Sequence, residues 1–158
     1  MDKSSIMIGT FLLVIFMFPI LYVLLKQKSR EAKFKKELNK LASENGLVLD
    51  RFETFGHLSL GLDSTNKKLV VIDPKSEIDH EVIDLKKVNK INLAKRTQKG
   101  ENRKERIIHL GIEIAEMNSP KLTEIVFYDE DDYESTDAEI RLHEAKKWDD
   151  LLHKNLAI

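Results

Sequence analysis

The first pattern along the chain is a run of apolar residues that no charge interrupts. Residues 6–25, from Ile6 to Leu25, are all uncharged. At about 1.5 Å of rise per residue, a helix of this length matches a hydrocarbon core of roughly 30 Å. Pro19 is tolerated in such a helix, and Tyr22 lies near its end, where aromatic rings favour the headgroup region. The pattern therefore predicts a transmembrane helix.

A cleaved secretory signal is the alternative interpretation of this segment. Such signals have a basic start, a shorter apolar stretch and a cleavage site of small residues. Here the opening residues Met1–Lys3 are neutral as a group, and Leu24–Lys28 contains no small residue. We therefore expect a retained signal anchor that follows a short N-terminal tail at residues 1–5.

The charges on either side of the apolar run predict its orientation. One Lys and one Asp precede it, whereas residues 26–40 contain seven basic and two acidic residues. Basic flanks stay on the cytoplasmic side, so we expect a single-pass protein of the cell membrane with its N-terminus outside and its C-terminal domain in the cytoplasm. The flanking residues expected to face anionic headgroups are Lys26, Lys28, Arg30 and Lys33.

Residues 26–46 are predicted to form a basic juxtamembrane helix or linker. Phe34, Leu38, Leu41 and Ala42 recur at helical spacing among lysines, and Asn45–Gly46 is a natural helix end. The apolar stripe has two interpretations: it packs on the following domain or holds it away from the bilayer, or it lies on the membrane while lysines contact headgroups.

From Leu47 to Tyr128 the hydrophobic pattern has mostly a period of two, which is typical of strands separated by turns. Because proline cannot donate to a strand ladder, Asp73–Pro74 should end one strand. The predicted units are a hairpin of Leu58–Leu62 and Lys68–Ile72, a stretch from Ile78 to Leu93 with a helical turn near Asp84–Val88, a strand at Ile108–Ile114, a turn at Asn118–Pro120 and a strand at Leu122–Tyr128.

The chain is predicted to end in a helix. Thr136 and Glu139 have capping-box spacing, and Trp148 and Leu152 are predicted to lie in the core. Residues 47–158 suffice for one hydrophobic core. We therefore expect one cytoplasmic α+β domain, in which five to seven antiparallel strands form a sheet or barrel that a C-terminal helix closes.

This order of strand hairpins and one C-terminal helix with a lone Trp resembles the pleckstrin-homology-like (PH-like) fold. The segments Lys67–Asp73 and Ile83–Val88 are similar to membrane-anchored prokaryotic proteins of that type, which have no assigned activity. The resemblance implies a bent barrel over residues 58–128, plugged by residues 136–156. Phosphoinositide-binding members carry a basic signature in the first hairpin that Leu58–Ile72 lacks, so headgroup binding is not implied.

Charge is unevenly distributed, although the net charge is only −1. Residues 86–106 hold nine basic and two acidic residues, and residues 129–139 hold seven acidic residues and no basic one. The basic run is either a solvated hairpin with Gly100 at its tip or a surface for an anionic membrane or an acidic partner. It lacks the interleaved aromatic residues typical of nucleic-acid binding, which we do not expect. Its candidate contact residues are Lys95, Arg96, Lys99, Arg103 and Lys104.

No pattern in the sequence predicts catalysis, a metal or a cofactor. A calcium loop starting at Asp129 would need Gly at position 134 and Glu at position 140, where the chain has Glu134 and Ile140. The zincin-like spacings that begin at His80 and His143 have Asp84 and Lys147 where the second histidine would be, and there is no cysteine.

The sequence therefore predicts a membrane-anchored cytoplasmic module that binds protein partners and is not an enzyme. A domain that recognises anionic lipid through residues 86–106 is the alternative, and an enzyme is the less favoured third. The partner, any ligand and the oligomeric state stay open.

Overall fold

The computed structural model describes most of the chain as one N-terminal helix, two antiparallel sheets and one C-terminal helix. The described residues are 3–99, 105–117, 120, 122–132 and 137–156. The predicted turn residues Gly100, Asn118 and Ser119 lie outside them, as do Arg103, Lys104, Thr136 and the side chain of Ile6.

Helix α1 spans Lys3–Glu44 and runs through the apolar segment into the basic one without interruption. Pro19 lies inside the helix and does not end it. The helix stops where predicted, because Gly46 adopts a positive φ of 67° and Leu47 N donates to Ala42 O at 2.9 Å. The apolar part from Met7 onward is unburied, and by length and composition it could cross a membrane.

The first sheet has the strand order β1-β2-β3-β4 and is antiparallel throughout. A two-residue turn at Gly56–His57 joins the first two strands, and the φ of 67° at Gly56 suits the first central position of a type II′ turn. The strands are β1 (Arg51–Phe55), β2 (Leu58–Asp63), β3 (Lys68–Ile72) and β4 (Glu81–Asp84).

The second sheet has the strand order β5-β6-β7 and follows one turn of 3₁₀ helix at Leu85–Lys87. That turn lies within the predicted helical turn near Asp84–Val88. Its strands are β5 (Val88–Lys99), β6 (Glu105–Glu116) and β7 (Leu122–Asp129), and shifts of pairing register interrupt both ladders.

Helix α2 (Ala138–Asn155) packs on all three strands of the second sheet. Its N-cap is Asp137, whose side chain accepts from Glu139 N at 2.9 Å, so the capping box predicted at Thr136 is replaced by a cap one residue later. Trp148 and Leu152 are 1% and 0% exposed and belong to the main hydrophobic core, to which both sheets contribute.

The predicted α+β class, the antiparallel pairing and the C-terminal helix are confirmed. The hairpin of β2 and β3 also forms as predicted. Strand β1 precedes the first predicted strand, Leu58–Leu62, and was not predicted as a separate unit, because Arg51–Phe55 alternates weakly between polar and apolar residues.

Candidate functional site

The second half of α1 packs on the outer face of the first sheet. Leu38 and Ala42 are 1% and 2% exposed and form a small apolar cluster with Val70 and Ile72 of β3. The apolar stripe of the juxtamembrane segment is therefore covered by the domain, as the first of its two interpretations predicted. It is not available to lie on a bilayer.

Close approach of α1 explains why β2 is buried on both faces. A Cβ atom at Gly61 would lie 2.7 Å from Leu49 Cδ1 and 3.0 Å from Leu38 Cδ2. The leucines of Leu58–Leu62 therefore face the main core, and the residues between them face α1.

Strand β1 runs back along α1 towards the apolar segment. Leu38 lies over Gly61, which pairs with Phe52, and the Lys35 ammonium lies 4.5 Å from the centre of the Phe52 ring. The preceding turns of α1, from Lys28, line a cleft with the rest of β1 up to Thr54. Strand β3 runs in the same direction as β1, since both are antiparallel to β2. The Gly56–His57 turn and the end of β3 therefore lie at the end of the domain that is nearer the apolar segment. We call this end the anchor-side end.

The juxtamembrane cations Lys26, Lys28, Arg30 and Lys33 are exposed on α1. Lys33 pairs with Glu37 at 3.8 Å, one helical turn later. Lys35 of the same helix contacts Phe52 of β1. The sequence did not predict this contact, because it depends on β1 being a strand that faces α1.

The basic residues of β5 lie on a hairpin that extends from the anchor-side end. Lys95, Arg96 and Lys99 are exposed, and the ladder continues past the Arg96–His109 pair to Lys99–Glu105. His109 pairs in register with Asp129 at the end of β7. The structure thus groups Lys95, Arg96 and Lys99 in one exposed segment, while Arg103 and Lys104 lie outside the described residues.

A cleft of about 450 Å³ at the anchor-side end contains a histidine between two carboxylates. His57 Nε2 lies 3.5 Å from Asp73 Oδ1, and its Nδ1 lies 3.6 Å from Asp132 Oδ2. Lys75 Nζ binds Asp132 Oδ1 at 2.7 Å. Burial raises the pKa of Asp73, although the nearby His57 acts in the opposite direction. The contacts of His57 with Asp73 and Asp132 therefore connect the β1–β2 turn to the segments that follow β3 and β7.

A second histidine nearby is also held between carboxylates. His109 Nε2 contacts Glu124 Oε1 at 2.7 Å and its Nδ1 contacts Asp129 Oδ2 at 3.0 Å. Burial of the ring opposes protonation, but hydrogen bonds to the two carboxylates outweigh it, and the pKa of His109 is raised. No pattern in the sequence predicted this contact, because it depends on the pairing of β6 with β7.

A groove of about 540 Å³ separates β1 from α2. At its base, Trp148 Nε1 donates to Glu53 Oε2 at 3.0 Å, and Lys147 Nζ contacts the other carboxylate oxygen. Its remaining charged lining is mostly basic and exposed, and comes from Arg51, Lys146 and Lys154.

Within the described residues, no group of three or more His, Asp or Glu side chains has the geometry to hold a metal ion. Ser76 lines the cleft beside His57, and its hydroxyl accepts from Ile78 N at 3.2 Å. This contact stabilises the local turn.

No family model, curated protein or solved structure matched the chain when each was compared with it.

Proposed function

We propose that the chain is a single-pass membrane protein with its N-terminus outside the cell, whose cytoplasmic domain binds protein partners at the membrane surface. The observation that carries this proposal is the continuity of α1, whose first part is long and apolar enough to span a bilayer and whose last part packs in the domain. Binding therefore takes place on a surface that is held next to the membrane.

The distance between the bilayer and the domain follows from helix geometry. Leu25 ends the apolar run and Phe34 is the first residue of α1 that packs against the sheet cluster. Nine residues of helix cover about 14 Å, and the headgroup region accounts for roughly 5–8 Å of it. The domain thus lies within about 10 Å of the headgroups when the helix is upright.

The arrangement of elements supports a PH-like fold for this domain. The strands precede a C-terminal helix whose Trp148 is buried in the main hydrophobic core, which is the order expected from the resemblance. We include closure of the two sheets into a bent barrel in the proposal.

Two experiments test the anchor and its orientation. Alkaline carbonate should leave the full chain in the membrane pellet. Because the chain has no cysteine, Ser4→Cys and His143→Cys each introduce one unique thiol. A membrane-impermeant maleimide should label position 4 in intact cells and position 143 only after lysis. Extraction by carbonate, or the reverse labelling pattern, would refute the proposed topology.

Crosslinking or proximity labelling of the full chain in native membranes tests partner binding. We expect specific proteins to be recovered with the folded chain and lost with Leu38→Asp, which places a charge at the contact between α1 and the sheet. Recovery of the protein alone would contradict the proposal.

Contact of the β5–β6 hairpin with anionic lipid is the second candidate function, because this hairpin extends from the anchor-side end and exposes Lys95, Arg96 and Lys99. Each such cation contributes about 1 kcal/mol near an anionic surface. A fluorophore at Thr97→Cys should be quenched by headgroup spin labels in anionic vesicles and less in zwitterionic ones. Met117→Cys, at the other end of β6, is the control, and equal quenching at both sites would exclude this candidate.

A further inference from the structure

Strand β1 is an edge strand in which Arg51 and Phe52 are exposed and Glu53 and Thr54 are half-buried. It pairs with β2 on one side, and within the described residues no strand lies on its other side. The two-residue turn makes Phe55–Leu58 the hydrogen-bonded closing pair, so Glu53 also lies in a hydrogen-bonded pair. The N–H and C=O groups of Phe52 and Thr54 then point away from β2.

Two clefts meet at this edge. One, of about 360 Å³, lies between β1 and α1, and the other is the groove of about 540 Å³ between β1 and α2. Glu53 lines both clefts. Side chains of an added strand alternate between the two faces of a sheet, so successive residues would enter the α1 cleft and the α2 groove in turn.

The two clefts are predominantly basic. Their acidic residues are Glu31, Glu53 and Asp150, and Glu53 already binds Lys147 and Trp148. Their basic residues, all exposed, are Lys28, Lys35, Arg51, Lys146, Lys147 and Lys154.

We propose that an extended acidic segment of a partner protein adds to the edge of β1 as a fifth strand of the first sheet. Its backbone pairs with Phe52 and Thr54, and carboxylates at successive positions bind the lysines of α1 on one side and those of α2 on the other. Main-chain pairing supplies affinity and the flanking side chains supply specificity. This inference rests on the proposed function and assigns the surface and the chemistry of the partner.

Charge argues against a second copy of the chain at this edge. Pairing of two β1 edges would bring the basic clefts of both copies together, and like charges across an interface are unfavourable. An acidic strand instead neutralises them, and it also covers an edge that would otherwise be open to unspecific pairing.

The first test measures binding of a labelled, capped decapeptide of Glu-Glu-Val-Val repeats, which places carboxylates on both faces of an added strand, to the full chain in nanodiscs of zwitterionic lipid. Fluorescence anisotropy should show saturable binding that weakens as salt is raised. The matched decapeptide of valine and glutamine should bind about fivefold or more weakly, since it keeps the backbone and lacks the charge. Equal binding of the two peptides, or no binding of the acidic one, would overturn the inference.

The second test removes the backbone donor at the edge. Thr54→Pro deletes the outward N–H and leaves the β2 ladder intact, since proline is tolerated on the open side of an edge strand. Thr54→Val is the control, because both variants lose the hydroxyl contact with Ser59 and only one loses the N–H. We expect binding to fall about fivefold or more in Thr54→Pro relative to Thr54→Val. Equal binding by two folded variants would overturn the inference.

The third test reverses charge in the α2 groove. Lys146→Glu with Lys154→Glu should weaken peptide binding by about fivefold or more, whereas Lys86→Glu with Lys87→Glu, the same charge change before β5, should leave it unchanged.

Disulfide crosslinking between Thr54→Cys copies in the nanodisc would instead show a second copy at the edge and overturn the acidic partner. Partners recovered in native membranes without any peptide binding would refute this inference alone, and the absence of partners would refute the proposed function as well.

Discussion

Trp148 Nε1 donates a hydrogen bond to Glu53 Oε2 at 3.0 Å, across 95 residues of sequence. This contact joins α2 to the edge strand of the first sheet, and the neighbouring Lys147 holds the same carboxylate. Trp148 is 1% exposed, and Glu53 supplies the acceptor for its N–H at the base of the groove.

Glu53→Ala should therefore lower the free energy of unfolding by about 1–3 kcal/mol, the cost of leaving a buried donor unsatisfied. Glu53→Gln keeps an acceptor for the indole and should cost less. The measurement is urea unfolding of the full chain in detergent, followed by the fluorescence of Trp148, the only tryptophan. Equal losses in the two variants would show that the hydrogen bond is not what stabilises this contact.

Leu38→Ala tests the docking of α1 on the sheet. Leu38 is 1% exposed among Val70, Ile72 and Ala42, and truncation of such a leucine leaves a cavity that costs about 2–5 kcal/mol. Asn39→Ala, at the adjacent exposed position, should change stability by less than about 0.5 kcal/mol. Urea unfolding measures both variants, and similar values would contradict the packing of α1 on the domain.

Asp63 stabilises the connection between α1 and β1. It is 1% exposed, and its carboxylate accepts from Val48 N at 2.9 Å and from the backbone and side chain of Asn66 at 2.8 and 2.7 Å. Burial acts to raise its pKa, but these hydrogen bonds outweigh burial and the pKa is lowered.

Asp63→Asn should cost about 2–3 kcal/mol, because the amide places a donor where the carboxylate accepts. The stabilisation by Asp63 is present above its unfolded pKa of about 3.9 and is lost as the pH falls through the lower folded value. The gap in urea midpoint between Asp63→Asn and the unsubstituted chain should therefore be large at neutral pH and shrink in acid. A gap that is constant with pH would contradict this role of the carboxylate.

Most of the strands and the two helices could be predicted from the sequence because each has strong local periodicity, whereas the division of the strands into two sheets was not predicted. The apolar run, the hairpin of β2 and β3 and the face of α2 that carries Trp148 and Leu152 are examples. The strand at Arg51–Phe55 was missed because it is short, and its polar residues contact helices that are distant in sequence.

The candidate sites could be predicted only as far as they are continuous in the chain. The basic residues Lys95, Arg96 and Lys99 lie together on one exposed strand, in a segment where the sequence predicted a solvated hairpin. The open edge of β1 and its basic clefts depend instead on strand order and on helix docking. Pairs such as His57 with Asp73 arise from tertiary contacts, for which the sequence contains no local signal.

His109 should make the stability of the domain depend on pH near neutrality. Its pKa is raised in the folded state above an unfolded value of about 6.5, owing to the hydrogen bonds with Glu124 and Asp129. The protonated ring contributes stability that is fully present below the unfolded pKa and is lost as the pH rises through the folded pKa. His109→Gln removes this contribution, so its urea midpoint should lie furthest below that of the unsubstituted chain at mildly acidic pH and approach it above the folded pKa. His143→Gln, at an exposed position of α2, is the control for the loss of a histidine outside this contact. A deficit in His109→Gln that grows with rising pH would mean that the neutral ring is the stabilising form.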